Sequence, residues 1–402
     1  MSATMHSDPV VSGIDPFSAG FFADLYVFHG QLRDAGPVVW LEKYGVWGMA
    51  RYAEVHSALN DWQAFMSGAG AGIQDLRQQK AWRPPSIVLE ADPPLHDLTR
   101  GAMNRVLSGP AIRRLREAFQ AEAERLVEEL VSCGEFDAVK DLAIAYPLKV
   151  VGDAVGVPPQ GRECLLPFSN MLFNSFGPEN EIFRRSIVES ERVVKALFAQ
   201  CDRASLTADG LGMQFYRAAD EGRFPPEYAA VLVRSILSAG FDTTVSGFSN
   251  AIYGFATNPE QWQILRENPS LLRSAFDEII RWESPVQTFF RTTSKEVEIA
   301  GTRIGPNQKV LLFLAAANRD PRRWERAHEL DVRRNPAGHV AFGSGIHLCI
   351  GQMLARLEAE LLFAAFARRV ASFELAGEPV RRQNNTLRGF ATLPIRVRRP
   401  HQ

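Results

Sequence analysis

Phe342-Gly343-Ser344-Gly345-Ile346-His347-Leu348-Cys349-Ile350-Gly351 sets one cysteine in a glycine-rich loop directly ahead of a helical run, Gln352–Arg369. A helix N-terminus offers unpaired N–H groups and the positive end of a dipole, so a cysteine placed there is expected to be held as thiolate. Gly343 and Gly345 permit turns closed to other residues and aim amides toward the sulfur, while Gly351 lets a large flat ligand lie against the helix. A buried structural cysteine is the plain reading of any single Cys. Cys349 differs because its neighbours are specified too, a pattern expected by chance in roughly one chain in 10⁵ of ordinary composition.

A soft thiolate in a dry, amide-lined surround suits iron. The stretch resembles F-G-x-G-x-H-x-C-x-G, the haem-ligating signature of the cytochrome P-450 superfamily. The resemblance implies haem b with Cys349 as the axial ligand of its iron, and O2 as co-substrate. Phe342, Gly343 and Gly351 would lie against the macrocycle, and His347 would reach a haem propionate. It implies the fold as well: mainly α with small β-sheets, a long central helix over the haem and the Cys loop on the opposite face. The expectation is a single domain over 1–402, β-rich near 37–50 and 286–313.

The 402 residues carry a net charge of −1, which argues against a nucleic-acid partner, and a hydrophobic fraction of 46%, ordinary for a globular chain. Cys133, Cys164, Cys201 and Cys349 form no C-x-x-C and no zinc spacing, so disulfides are not expected. Residues 1–37 contain neither an apolar run of membrane-spanning length nor a signal pattern, and the chain reads as soluble and cytoplasmic, with no membrane partner.

Short β-like runs at 38–41 and 46–49 flank a turn at 43–45, and 297–304 and 309–313 alternate like strands. Helical spacing covers Tyr52–Asn60 and 111–133. Residues 226–258 give the longest helical signal, about 45–50 Å at 1.5 Å per residue, apolar on nearly all faces. Ala239-Gly240-Phe241-Asp242-Thr243-Thr244 interrupts it with residues that weaken a helix. A packing glycine with two satisfied threonines would explain the defect, but a break at the centre of a buried helix is often functional. The stretch resembles the oxygen-activation motif [AG]-G-x-[DE]-T-[TS], which implies Thr243 as the alcohol acting at the oxygen and Asp242 as the acid that relays protons.

Two further segments join the pattern. In Asp92-Pro93-Pro94-Leu95-His96-Asp97-Leu98-Thr99-Arg100, His96 and Arg100 stand four apart on one helix face, where two donors can clamp an anion or form an exposed basic face. The resemblance assigns both, and Arg291 in the strand-like 285–291, to haem propionates. Glu278-Ile279-Ile280-Arg281 matches E-x-x-R, whose triad is completed by an arginine five residues before His339, hence Arg334 rather than Arg333; these three are expected to serve fold integrity.

Four motifs in order imply monooxygenation at a C–H bond. A haem-thiolate sensor would not need Asp242 and Thr243. For the substrate, aromatics and donors at Arg83, Ser86, Leu89, Phe173, Phe176, Arg234, Ser235, Ala239, Val286 and Phe289 suggest a flat apolar ligand with an anionic end. Solvated arginines are the plainer alternative. W-R-P-P-S-x-x-L-E-A-D-P-P, F-N-x-F-G-P and E-S-P-V-Q-T-F-F-R-T-T resemble the bacterial P-450 enzymes that oxidise para-substituted benzoic acids, and the likeness extends to Asn384-Asn385-Thr386-Leu387-Arg388-Gly389. It implies O-demethylation of 4-methoxybenzoate to 4-hydroxybenzoate and formaldehyde. Arg83, Ser86 and Ser235 would hold the carboxylate with Arg234 adding charge, and Phe173, Phe176 and Phe289 would pack on the ring. Val286 would face the substrate and Ala239 would leave room for it. A neutral terpenoid, fatty acid or other lipid remains the competing substrate. The chain shows no cluster or flavin motif, so a [2Fe-2S] ferredoxin and an NAD(P)H-dependent ferredoxin reductase are implied, docking near Arg100, Arg105, Arg113 and Arg356.

Overall fold

The apolar stretch 226–258 folds as a buried helix in two pieces: in the computed structural model, which describes residues 9–79 and 82–400, Tyr228–Gly240 and Asp242–Thr257 meet at Phe241. The threonine hydroxyls bond back across the break. Thr243 Oγ1 donates to the Ala239 carbonyl at 2.9 Å and Thr244 Oγ1 to that of Gly240 at 2.7 Å, serving acceptors at the end of the first piece. The helix expected over 111–133 is likewise two, Gly109–Arg114 and Arg116–Cys133. The Leu115 amide bonds only three residues back, to Ile112 at 3.0 Å, a tightened turn that ends the first.

The longer piece, Asp242–Thr257, packs on Leu272–Trp282, which in turn packs on Gln352–Arg369. The larger hydrophobic core contains Phe248, Phe255, Trp262, Phe276 and Phe363 from these and adjoining elements. A six-stranded sheet flanks the helices, with Val46–Met49 parallel to Lys309–Phe313, which runs antiparallel to Thr288–Thr293. Register pairs Phe289 with Leu312 and Arg291 with Val310. The period of two puts Phe289 and Arg291 on one face. Val39–Leu41 pairs with Val46–Met49 across a turn closed by Gly45 at φ 60°, where glycine is favoured.

Glu278 and Arg281 are wholly buried. Arg281 reaches Glu278 with two bonds, 2.7 and 2.8 Å, and spends its remaining donors on the carbonyls of Asn318, Ala327 and Glu329. Arg334 donates to Glu278 at 3.1 Å, while Arg333 stays at the surface beside Asp331. No helix among the described residues is long and apolar enough to cross a membrane. Met1–Asp8, part of the stretch 1–37 read above, lie outside the described residues.

Candidate active site

A cavity of about 270 Å³ separates the Cys349 loop from the broken central helix. Phe342, Gly343, His347, Cys349 and Gly351 line one side; Ala239, Gly240 and Thr243 line the other. Gly343 and Gly345 adopt φ of 73° and 68°, and a Cβ on Gly345 would strike the Leu59 carbonyl. Gly351 has an ordinary φ of −82°. A Cβ there would meet Cys349 Sγ at 3.9 Å, an ordinary contact, so neither its backbone nor the protein around it demands glycine.

Burial pushes the Cys349 thiol up, and the amides of Gly351 and Gln352 with the charges of Arg100 and Arg356 oppose it without prevailing. Dehydration of the sulfur and the donors around it therefore pull in opposite directions. A metal cation bonded to the sulfur would favour the thiolate.

The rest of the cradle is short of an anion. His96 Nε2 and His347 Nε2 are buried without a partner among the described residues, their rings 4.6 Å apart. Burial drives His347 down to about 4, so it is a neutral ring held 4.0 Å from Asp92, whose carboxylate accepts the Ser67 and Gly68 amides. Arg291 donates to its neighbour's carbonyl at Phe290, and burial lowers it to about 10. Arg100 donates to the Leu348 carbonyl at 2.6 Å and lines the cavity. Buried donors left unpaired are costly. Two carboxylates on the rim of a flat ligand would complete them, and a haem fits that description together with the sulfur below.

Across the cavity, Thr243 lines the wall and Asp242 does not. Asp242 is fully buried and does not line the cavity; Arg382 lies 2.6 Å away, near enough for attraction yet misaligned for a hydrogen bond. Burial pushes its carboxyl up against the opposing charge of Arg382. The Arg382 side chain is 26% exposed, so the pair connects the back of the helix with solvent.

Arg83, Ser86, Leu89, Phe173, Arg234, Ser235, Val286 and Phe289 line the remaining wall. Phe176 does not; it backs Phe289 and Phe173 at 5.4 and 5.8 Å between ring centroids. Arg83 is engaged by Glu90 through two bonds, 2.7 and 3.0 Å, and the same carboxylate accepts the Ser86 amide. Its charge is already balanced. Arg234 is buried and has no carboxylate partner among the described residues; it rests 5.3 Å over the Phe198 ring, and burial, then Arg83, lowers its pKa. Ser235 donates to the Val231 carbonyl at 2.8 Å, and Ser86 Oγ accepts from the Leu89 amide at 3.1 Å, leaving the Ser86 proton free. Of the four arginines expected to form a docking patch, Arg105 and Arg113 are exposed. Arg100 turns inward to Leu348, and Arg356 binds Asp277 at 2.9 and 3.0 Å.

Sequence reasoning missed three charged groups. Lys309 Nζ donates to the carbonyls of Ala69, Gly70 and Gly72 at 3.1, 3.1 and 2.9 Å, and burial lowers it to about 8. Arg382 answers Asp242 from the far end of the chain. Glu358 lines the cavity with Oε2 unpartnered among the described residues, and burial pushes it up to about 8. Only Glu358 left a signal: it is a lone carboxylate on the apolar stripe Leu354, Leu361, Ala365.

The family profile described as Cytochrome P450 matches residues 180–398. "Cytochrome p450 CYP199A2" of Rhodopseudomonas palustris is 51% identical over 387 residues, 96% of this chain and 94% of that protein. "Cytochrome P450-terp" of a Pseudomonas species is 32% identical, covering 92% and 93%. Among solved structures, cytochrome P450 CREJ in complex with (4-ethylphenyl) dihydrogen phosphate superposes with a TM-score of 0.87 at 26% identity, over 96% of this chain and 99% of that one. CYP109Q5 from Chondromyces apiculatus gives 0.83 at 27% identity, over 97% and 99%.

Proposed function

Since the chain belongs to the cytochrome P-450 family, monooxygenases with a cysteine-ligated haem b, we propose that Cys349 is that cysteine and that the substrates are para-substituted benzoic acids. The observation that carries the substrate is Arg234, a buried guanidinium without a carboxylate partner in a largely apolar cavity. A carboxylate is its natural complement. The ligand of the CREJ neighbour has the same layout, a para-alkylated ring with an anionic head.

Bound haem supplies O2 activation and insertion of one oxygen atom at a C–H bond. The chain's own residues do the rest. Arg234 and the free Ser86 hydroxyl anchor the carboxylate, and Arg83, neutralised by Glu90, shapes the anchor. Phe173 and Phe289 hold the ring, Phe176 backs them, and Ala239 leaves the para group room. The Thr243 hydroxyl holds a proton at the cavity wall, and Asp242 draws one from the side of Arg382. With 4-methoxybenzoate, hydroxylation of the methyl gives a hemiacetal that collapses to 4-hydroxybenzoate and formaldehyde. The whole chain 1–402 works as one cytoplasmic domain. Its electrons come from NAD(P)H through a reductase and a [2Fe-2S] ferredoxin that docks beside Arg105 and Arg113.

Optical titration of the ferric protein with 4-methoxybenzoate, beside the neutral isostere 4-methoxyacetophenone, tests the substrate. The acid alone is expected to move the haem Soret band toward high spin, and Arg234→Met to abolish the difference. Equal shifts with both compounds would overturn the acid assignment in favour of a neutral substrate.

A further inference from the structure

The segments 173–178 and 384–389, far apart in sequence, meet in a buried knot of asparagines. Asn174, Asn384 and Asn385 are each at most 3% exposed. The Asn385 amide donates to Asn174 Oδ1 at 2.9 Å and its Nδ2 to the Asn174 carbonyl at 3.0 Å. Asn385 and Asn180 pair amide to amide at 2.8 and 3.1 Å, and Asn384 Nδ2 donates to Asn170 Oδ1 at 3.1 Å. Gly177 lies so near that a Cβ on it would come within 2.6 Å of the Asn385 Cβ.

The same loop grips the opposite wall. The Gln287 amide donates to the Thr386 carbonyl and the Arg388 amide to that of Pro285, both at 2.8 Å, and Val286 bridges Leu387. Residues 384–388 thus join the end of the helix Leu165–Asn174, which presents Leu172 and Phe173, to the segment presenting Val286 and Phe289. Apolar contact is non-directional and lets two walls slide. A closed set of buried hydrogen bonds fixes distance and angle.

We propose that the Asn174–Asn385 clasp is a specificity-determining positioning device: it sets the spacing of Phe173 and Phe289 and restricts the cavity to flat ligands. The inference rests on reading that cavity as the substrate site, but not on the substrate being an acid. Asn385→Ala removes the side-chain donor from the Asn174 carbonyl, which keeps only the Gly177 amide, and takes the acceptor from Asn180 Nδ2, so the helix end is free to move outward.

The test uses the haem-loaded enzyme with two iron-binding imidazoles that carry no carboxylate: flat 4-phenylimidazole and clotrimazole, whose rings splay from one carbon. The parent is expected to favour the flat compound, and Asn385→Ala to reduce that preference ~10-fold, the scale of one lost buried hydrogen bond. Asn180→Ala removes the outer amide pair, together with its cap on the Phe183 amide, and is expected to reduce it ~3-fold, so the test survives an Asn385 variant that does not fold. A preference unchanged within about twofold in the folded variants, with only the unfolding temperature lowered, would overturn the proposal. Should the parent ignore 4-methoxybenzoate while the imidazole preference shifts as expected, the clasp stands and the acid reading falls.

Discussion

Arg83 and Arg234 share one cavity wall, yet their substitutions are expected to read out differently. Arg83→Met strands Glu90, whose side chain is 2% exposed, and should cost about 3 kcal/mol of stability, measurable by denaturant unfolding. Arg234→Met strands nothing charged among the described residues; it should leave stability intact and weaken aromatic-acid binding roughly 10- to 100-fold in titration. Glu358 gives a pH signature. Its carboxyl is raised from 4.5 to about 8, so between those values the folded chain holds a proton that the unfolded chain lacks. Stability should therefore fall as pH rises through this window, and Glu358→Gln should flatten the slope between pH 5 and 8. What was legible at this scale was chemistry that demands particular residues at close spacing: Cys349 with its glycines, and Thr243. The Arg83–Glu90 and Asp242–Arg382 pairs were not legible, because each is made by tertiary approach or loop closure that local patterning does not encode.

The central helix shows what an element adds. Gly240 and the two threonines announced a weak point, but the break falls at Phe241, whose fully buried ring is placed by packing. A Cβ on Gly240 meets nothing within 4 Å. Gly240→Ala should therefore raise stability by about 1 kcal/mol in thermal unfolding while intruding on the cavity and weakening ligand binding. Asp242 and Thr243 follow each other on the second piece, about 100° apart round the helix, so Thr243 lines the cavity and Asp242 is buried behind it. Asp242→Asn should leave the substrate-induced spectral shift intact and slow turnover roughly 100-fold.

Across the whole molecule, the Glu278–Arg281–Arg334 cluster ties the helix Leu272–Trp282 to the irregular segment that leads into the Cys349 loop. Glu278→Gln leaves Arg281 buried without its counter-charge and should cost about 3–5 kcal/mol, read as loss of folded, haem-retaining protein. The order of the motifs made this architecture legible. The asparagine knot was not, since amide pairs have no periodicity to find. Lys309, from the sheet, closes three carbonyls of the loop that leads toward Arg83, much as a small inorganic cation would. A cation carried on the chain cannot be exchanged for one in the buffer. Ligand affinity should therefore be indifferent to whether sodium, potassium or choline is the medium's cation, and the loop should slacken only in alkali, as Lys309 discharges above about pH 8.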